Sequence, residues 1–109
     1  MVASSIFSIA QTGLNAGATR ANVAANNVVN QNTPGFKPAD VATTTLVSER
    51  NIDGGAGVLV QVFESSDEEG VNLVKEFTRI IAAETAYKAS AKLIETGQEL
   101  DDALLDAVR

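Results

Sequence analysis

The 109-residue chain contains no histidine and no cysteine, so any nucleophilic, acid–base or metal-assisted chemistry must come from hydroxyls, lysines and carboxylates alone. The densest carboxylate groups are Asp67-Glu68-Glu69 and Asp101-Asp102. Neither follows the alternating ligand order of a calcium loop, and both read as helix capping and solvated charge. The glycines of Asp53-Gly54-Gly55-Ala56-Gly57 lack the lysine and hydroxyl of a phosphate loop and lie between strand-like runs, which reads as a hairpin turn. Tyr87 falls on an apolar helical face, the place of a core or interface residue. These residues imply no enzyme, no cofactor, no metal and no small-molecule substrate.

What the chain does offer is amide chemistry. Residues 24–37, AANNVVNQNTPGFK, carry four asparagines, a glutamine and a Pro-Gly pair without one acid. Gln11, Asn15, Thr19, Asn22, Asn26 and Asn30 recur at spacings of three and four, an uncharged hydrogen-bonding stripe along a helix. Amides can satisfy hydrogen bonds across a close interface without burying net charge, whose desolvation costs several kcal/mol per ion. Asn22, Asn26, Asn27 and Asn30 are therefore expected at a subunit interface, together with Phe36. Helix termination and a turn account for Asn32 to Gly35.

The formal charge of −6 argues against nucleic acid and anionic lipid as partners, since both need clustered lysine and arginine. All fourteen carboxylates fall from Asp40 onward, and residues 1–39 hold only Arg20 and Lys37. The two ends therefore attract weakly. The apolar run at the N-terminus is too short for a secretory signal, and no stretch approaches the length of a membrane span, so no membrane insertion and no cleaved leader are expected.

Two long helices and a hairpin must position these groups. Phe7, Ala10, Leu14, Gly17, Ala21, Ala24 and Val28 form a heptad seam over about residues 4–31. Gly13 and Gly17 each cost roughly 1 kcal/mol of helix propensity, so packing must sustain that helix. Thr33-Pro34-Gly35-Phe36 fits a type II turn. Within residues 32–65, DVATTTLVSE and GVLVQVFE are rich in β-branched residues and flank NIDGGAG, which reads as a short β-hairpin or irregular insertion. Ser66 can cap a second helix over about 67–108, some 60 Å long at 1.5 Å per residue.

That second helix carries two apolar stripes. Leu73, Phe77, Ile80, Tyr87 and Ile94 lie on one, expected to pair inside the chain with Phe7, Leu14, Ala21 and Val28. Ala82, Ala86, Ala89, Leu93, Gly97, Leu100 and Leu104 follow the other, of which Ala82, Ala86, Leu93, Leu100 and Leu104 are expected to meet another subunit. The polar sector between them includes a Glu84–Lys88 pair at the favourable spacing.

At this point the two ends become recognisable. The segments GLNAGATRANVAANNVVNQNTPGFKPADV and GVNLVKEFTRIIAAETAYKASAKLIETGQELDDALLDAV closely resemble the conserved N- and C-terminal regions of the bacterial flagellar rod and hook protein family. The resemblance covers roughly two thirds of the chain, and a central region of only about thirty residues marks a short, rod-type member. It implies a structural, non-enzymatic subunit of the basal-body rod, exported by the flagellar type III apparatus without a cleaved signal peptide. Copies of itself and other rod or hook proteins are the implied partners.

The expected architecture is thus one mainly α domain over residues 1–109, with terminal helices packed as an antiparallel, coiled-coil-like hairpin around a β-hairpin insertion. A freestanding rod-like helical adaptor, not built into the axial structure, is the alternative.

Overall fold

The computed structural model of the chain describes residues 2–47, 55–65 and 70–108. They form, in order, helix α1 (Val2–Val29), strand β1 (Ala39–Val47), strand β2 (Gly55–Glu64) and helix α2 (Leu73–Val108). Two long helices flank one antiparallel hairpin, in a molecule measuring 64 × 27 × 15 Å. No helix among the described residues is long and apolar enough to cross a membrane.

Helix α1 ends in the expected turn. The Phe36 amide donates to the Thr33 carbonyl at 3.1 Å, and Gly35 takes a φ of 75°, the left-handed conformation that the third position of a type II turn requires. Pro34 has no amide hydrogen to continue the helix.

The helices pack through small residues. A Cβ on Gly17 would stand 3.2 Å from the Tyr87 Cβ and 3.3 Å from the Ala83 carbonyl oxygen, and one on Gly97 would stand 2.9 Å from the Phe7 ring. The backbones approach so closely because glycine has nothing there to hold them apart. Among the described residues only alanines, Ala10, Ala16, Ala24 and Ala83, form the fully buried apolar core. Alanine buries little area, so the seam is close but thin.

The inward line on α2 runs through the buried Glu76, Ala83 and Gly97 and the half-buried Ile80, Ser90, Ile94 and Asp101, at heptad-like intervals. Ile80 and Ile94 of the expected pairing face lie on this line. Leu73, Phe77 and Tyr87 are exposed, although the Cβ of Tyr87 does lie against Gly17. Gly97, assigned by spacing to the outer stripe, lies in the seam. The physical reason is packing distance: glycine and alanine bring the axes together, so the line of small residues takes the centre and bulkier side chains are displaced to its flanks. On α1, Phe7, Leu14, Ala21 and Val28 are half-buried, and Phe7, Leu14 and Ile94 line an open groove between the helices.

Strands β1 and β2 pair from Ala39 opposite Glu64 to Thr45 opposite Val58, with a bulge near Leu46 and Val47. The tip, which includes most of the NIDGGAG turn, lies outside the described residues. Gly57 is held at a φ of 134°, and a Cβ there would meet Thr12 Oγ1 at 2.5 Å. The hairpin packs along α1.

Helix α2 begins at Leu73, later than expected. Gly70 has a φ of 79°, residues 70–72 are not helical, and Asn72 is the cap, its Oδ1 accepting from the Lys75 amide at 3.2 Å. That is the N-cap geometry asparagine favours. The cap expected from Ser66 lies outside the described residues, as do Asp67, Glu68 and Glu69.

Candidate assembly surface

The amides separate into two kinds. Asn22 and Asn26 are exposed on α1, and Asn30 is half-buried at its end. Asn30 Nδ2 donates to the Asn26 carbonyl at 2.9 Å and to its Oδ1 at 3.0 Å, and Thr33 Oγ1 reaches Asn30 Oδ1 at 3.2 Å. These bonds hold the last turn of the helix, where carbonyls lack intrahelical partners.

Asn27 is different. It is fully buried; its Nδ2 donates to the Ala39 carbonyl at 2.9 Å, and its Oδ1 accepts from the Ala39 amide at 3.0 Å. The side chain acts as one rung of a β-ladder at the outer edge of β1. Its place in an interface is therefore corrected, because both ends of the amide are engaged inside the chain and no face of it reaches solvent.

Two further contacts fix the hairpin to α1. Thr12 Oγ1 donates to the Ile9 carbonyl at 2.6 Å and accepts from the Val58 amide at 3.1 Å. Arg20 donates to Thr43 Oγ1 at 2.9 Å. At the hairpin base, Arg79 bridges Asp40 at 2.5 Å and Glu76 at 3.2 Å. Glu76 is 2% exposed, and its Oε2 has no hydrogen-bond partner among the described residues. Clefts of about 370 and 220 Å³ share this cluster in their linings.

Sequence reasoning missed Thr12, Arg20, Asp40, Glu76 and Arg79. The i,i+3 spacing of Glu76 and Arg79 was a signal for half of the cluster. Nothing in the sequence joins Asp40 to Arg79 across 39 positions, or Thr12 to Val58. The Glu84–Lys88 pair does form, at 3.0 Å on the exposed side of α2.

The outer face of α2 presents two apolar groups. Ala82, Ala86, Leu93, Leu100 and Leu104 are exposed on one side toward the C-terminal half. Val74, Phe77 and Ile81 are exposed in the N-terminal half, a second group in which the stripe pattern names only Phe77, and that for pairing inside the chain. Phe36, in the turn after α1, is half-buried.

Helix register explains the exposure at the end of α2. Gly97 faces Ile6 and Phe7, so Asp101 is level with the start of α1, and residues 102–108 project beyond it. All seven are exposed. Among the described residues no helix lies opposite Leu104, Leu105 and Val108. Contiguous apolar surface of this kind marks an interaction site.

Two family models match the chain. The one described as flagella basal body rod protein matches residues 7–37, which contain most of α1, the amides and the turn. The one described as flagellar basal body rod FlgEFG protein C-terminal matches residues 65–107, which contain α2. A search of curated proteins finds no significant match. The matched segments, 31 and 43 residues long, occupy 74 of the 109 positions and correspond to the two paired helices. With both terminal signatures present in the expected order, and folded against each other, the chain belongs to the flagellar basal body rod protein family.

Proposed function

We propose that this protein is a non-enzymatic structural subunit of the flagellar basal-body rod, completed by copies of itself or by related rod and hook proteins that cover the outer faces of its terminal helices. The observation that carries this reading is the uncovered end of α2, where Leu104, Leu105 and Val108 extend past the start of α1. Burial of one large aliphatic side chain contributes about 1.5–3 kcal/mol, so a neighbour that covers several of them supplies what the alanine core lacks. Leu93, Leu100, Leu104, Ala82 and Ala86 form the principal contact in this proposal. Asn22, Asn26 and Asn30 contribute the polar edge, and Phe36 an aromatic contact. Delivery through the flagellar type III export apparatus and residence in the basal body are part of this proposal, supported by the family membership.

The test is co-purification of tagged protein with hook–basal bodies, in cells that carry the wild-type chain or Leu100→Asp together with Leu104→Asp. The wild type is expected in the basal-body fraction. The double variant is expected to be synthesised but absent from that fraction, with motility lost. Normal swimming and normal co-purification of the variant would refute the assembly role of this face, and a wild-type protein found only as a discrete soluble species would instead indicate a freestanding adaptor.

A further inference from the structure

We infer that the outer edge of β2 pairs with the same edge of a second copy, extending the two-stranded hairpin into a four-stranded antiparallel sheet. The hydrogen-bonding sense of each residue follows from two contacts. The Ser65 amide donates to the Pro38 carbonyl, in line with the Ala39–Glu64 register, so even-numbered residues of β1 and their odd-numbered partners on β2 direct their backbone groups inward to the ladder. The Asn27–Ala39 exchange and the bond from the Val58 amide to Thr12 confirm the converse: Ala39, Val41, Thr43 and Thr45 point outward from β1, and Val58, Val60 and Val62 point outward from β2.

Because the hairpin crosses α1 obliquely, its two edges are blocked at opposite ends. Thr12 occupies the β2 edge at Val58, and Asn27 occupies the β1 edge at Ala39. The β2 edge at Val60 and Val62 has no partner for its outward amides and carbonyls among the described residues. It is also unguarded. No charge or proline occurs from Gly55 to Phe63, and the charge of β2 is confined to Glu64 at its last position, whereas exposed edges in monomeric proteins are ordinarily blunted by such residues along their length. Leu59, Val62 and Phe63 are each about half exposed there.

The chemistry of this edge specifies an extended peptide, and the edge is complementary to itself. Outward N–H and C=O groups alternate every second residue, so an antiparallel copy about a two-fold axis near Gln61 and Val62 satisfies both sets at once, an isologous contact. The stretch 55–63 is uncharged, and about an axis near Gln61 or Val62 the terminal Glu64 falls opposite Val58 or Val60 of the copy, so two chains of net charge −6 meet without opposing like charges across the ladder. This pairing rests on the hairpin alone and does not depend on the rod reading.

The experiment is sedimentation over a concentration series, with the Leu100→Asp, Leu104→Asp chain as background so that association through α2 is removed. A species of about twice the 11.3 kDa chain mass is expected to grow with concentration. Val62→Pro removes an outward amide that the β1–β2 ladder does not use, and is expected to weaken the dimer at least tenfold with the circular dichroism spectrum unchanged. Val62→Lys retains the amide and adds like charges at the contact, and is expected to do the same. A background protein that stays monomeric at every concentration, or a dimer indifferent to both substitutions, would overturn the pairing. Basal-body co-purification of the wild type would be untouched by either result.

Discussion

Asn27 and Ala39 exchange two hydrogen bonds of opposite sense, at 2.9 and 3.0 Å, so that a side chain on α1 takes the place of a neighbouring strand at the first residue of β1. The amide of asparagine carries the same donor and acceptor pair as a peptide unit, with a reach short enough to bring the strand against the helix. The hairpin is thereby fixed at its base, as Thr12 fixes it near Val58.

Asn27→Ala should remove both bonds and leave the Ala39 amide and carbonyl without their partners in a half-buried position, a loss of about 2–4 kcal/mol. Asn27→Asp should be no milder, since the carboxylate cannot donate to the carbonyl and would be buried as a charge. Urea unfolding monitored by circular dichroism measures the loss, and faster amide exchange at Ala39 would place it. Stability within 0.5 kcal/mol of wild type for the alanine variant would contradict this account.

The seam glycines should respond to alanine with different signs. At Gly17 the new methyl would meet backbone atoms of Ala83 and Tyr87 at 3.3 and 3.4 Å, which cannot move aside, so an overpacking cost of about 1–3 kcal/mol should exceed the propensity gain of about 1 kcal/mol. At Gly13 the nearest atom is the Ser90 hydroxyl, which can rotate away, so Gly13→Ala should be neutral or stabilising by up to about 1 kcal/mol. Thermal melts of the two variants compared side by side decide the order.

Arg79 neutralises Glu76, which is almost wholly inside the protein. Arg79→Ala should leave that carboxylate buried and unpaired. The expected loss is about 2–4 kcal/mol, below the range for a fully buried pair because Arg79 itself is one third exposed. Adding Glu76→Gln to Arg79→Ala should restore part of it, because the remaining group carries no charge. A double-mutant cycle in denaturant measures the coupling, and strict additivity would show that the pair does not interact.

Truncation after Asp101 should change the stability of the isolated chain by less than about 0.5 kcal/mol, since residues 102–108 are exposed and lie beyond α1. The same truncation should abolish co-purification with basal bodies. A large drop in melting temperature would show that the projecting turns fold back on their own chain.

Gly57→Ala tests the crossing of the hairpin over α1. A left-handed backbone and a Thr12 hydroxyl 2.5 Å from the added carbon both oppose it, and a cost of about 1–3 kcal/mol is expected. Thr12→Ala should relieve the steric part while leaving the Val58 amide unpaired. The two losses should therefore combine to less than their sum, as read from equilibrium unfolding of the single and double variants.

The sequence by itself determined the elements, their order and the family. Apolar periodicity marked both helices, Pro34 and Gly35 specified the turn, β-branched runs marked the hairpin, and the paired terminal signatures identified a rod protein, because each of these depends on local chemistry or on residues near in the chain. Which face of each helix lies inward was decided by the tertiary structure. Spacing placed Phe77 and Leu73 in the seam and Gly97 outside it, but helix approach is governed by the smallest residues in contact, and Gly17, Ala83 and Gly97 drew the axes together along their own line. The same holds for Asn27, whose residue type is shared with its exposed neighbour Asn26. Only the docking of β1 against α1 separated the two, because burial and hydrogen-bond partners are properties of what folds opposite a residue.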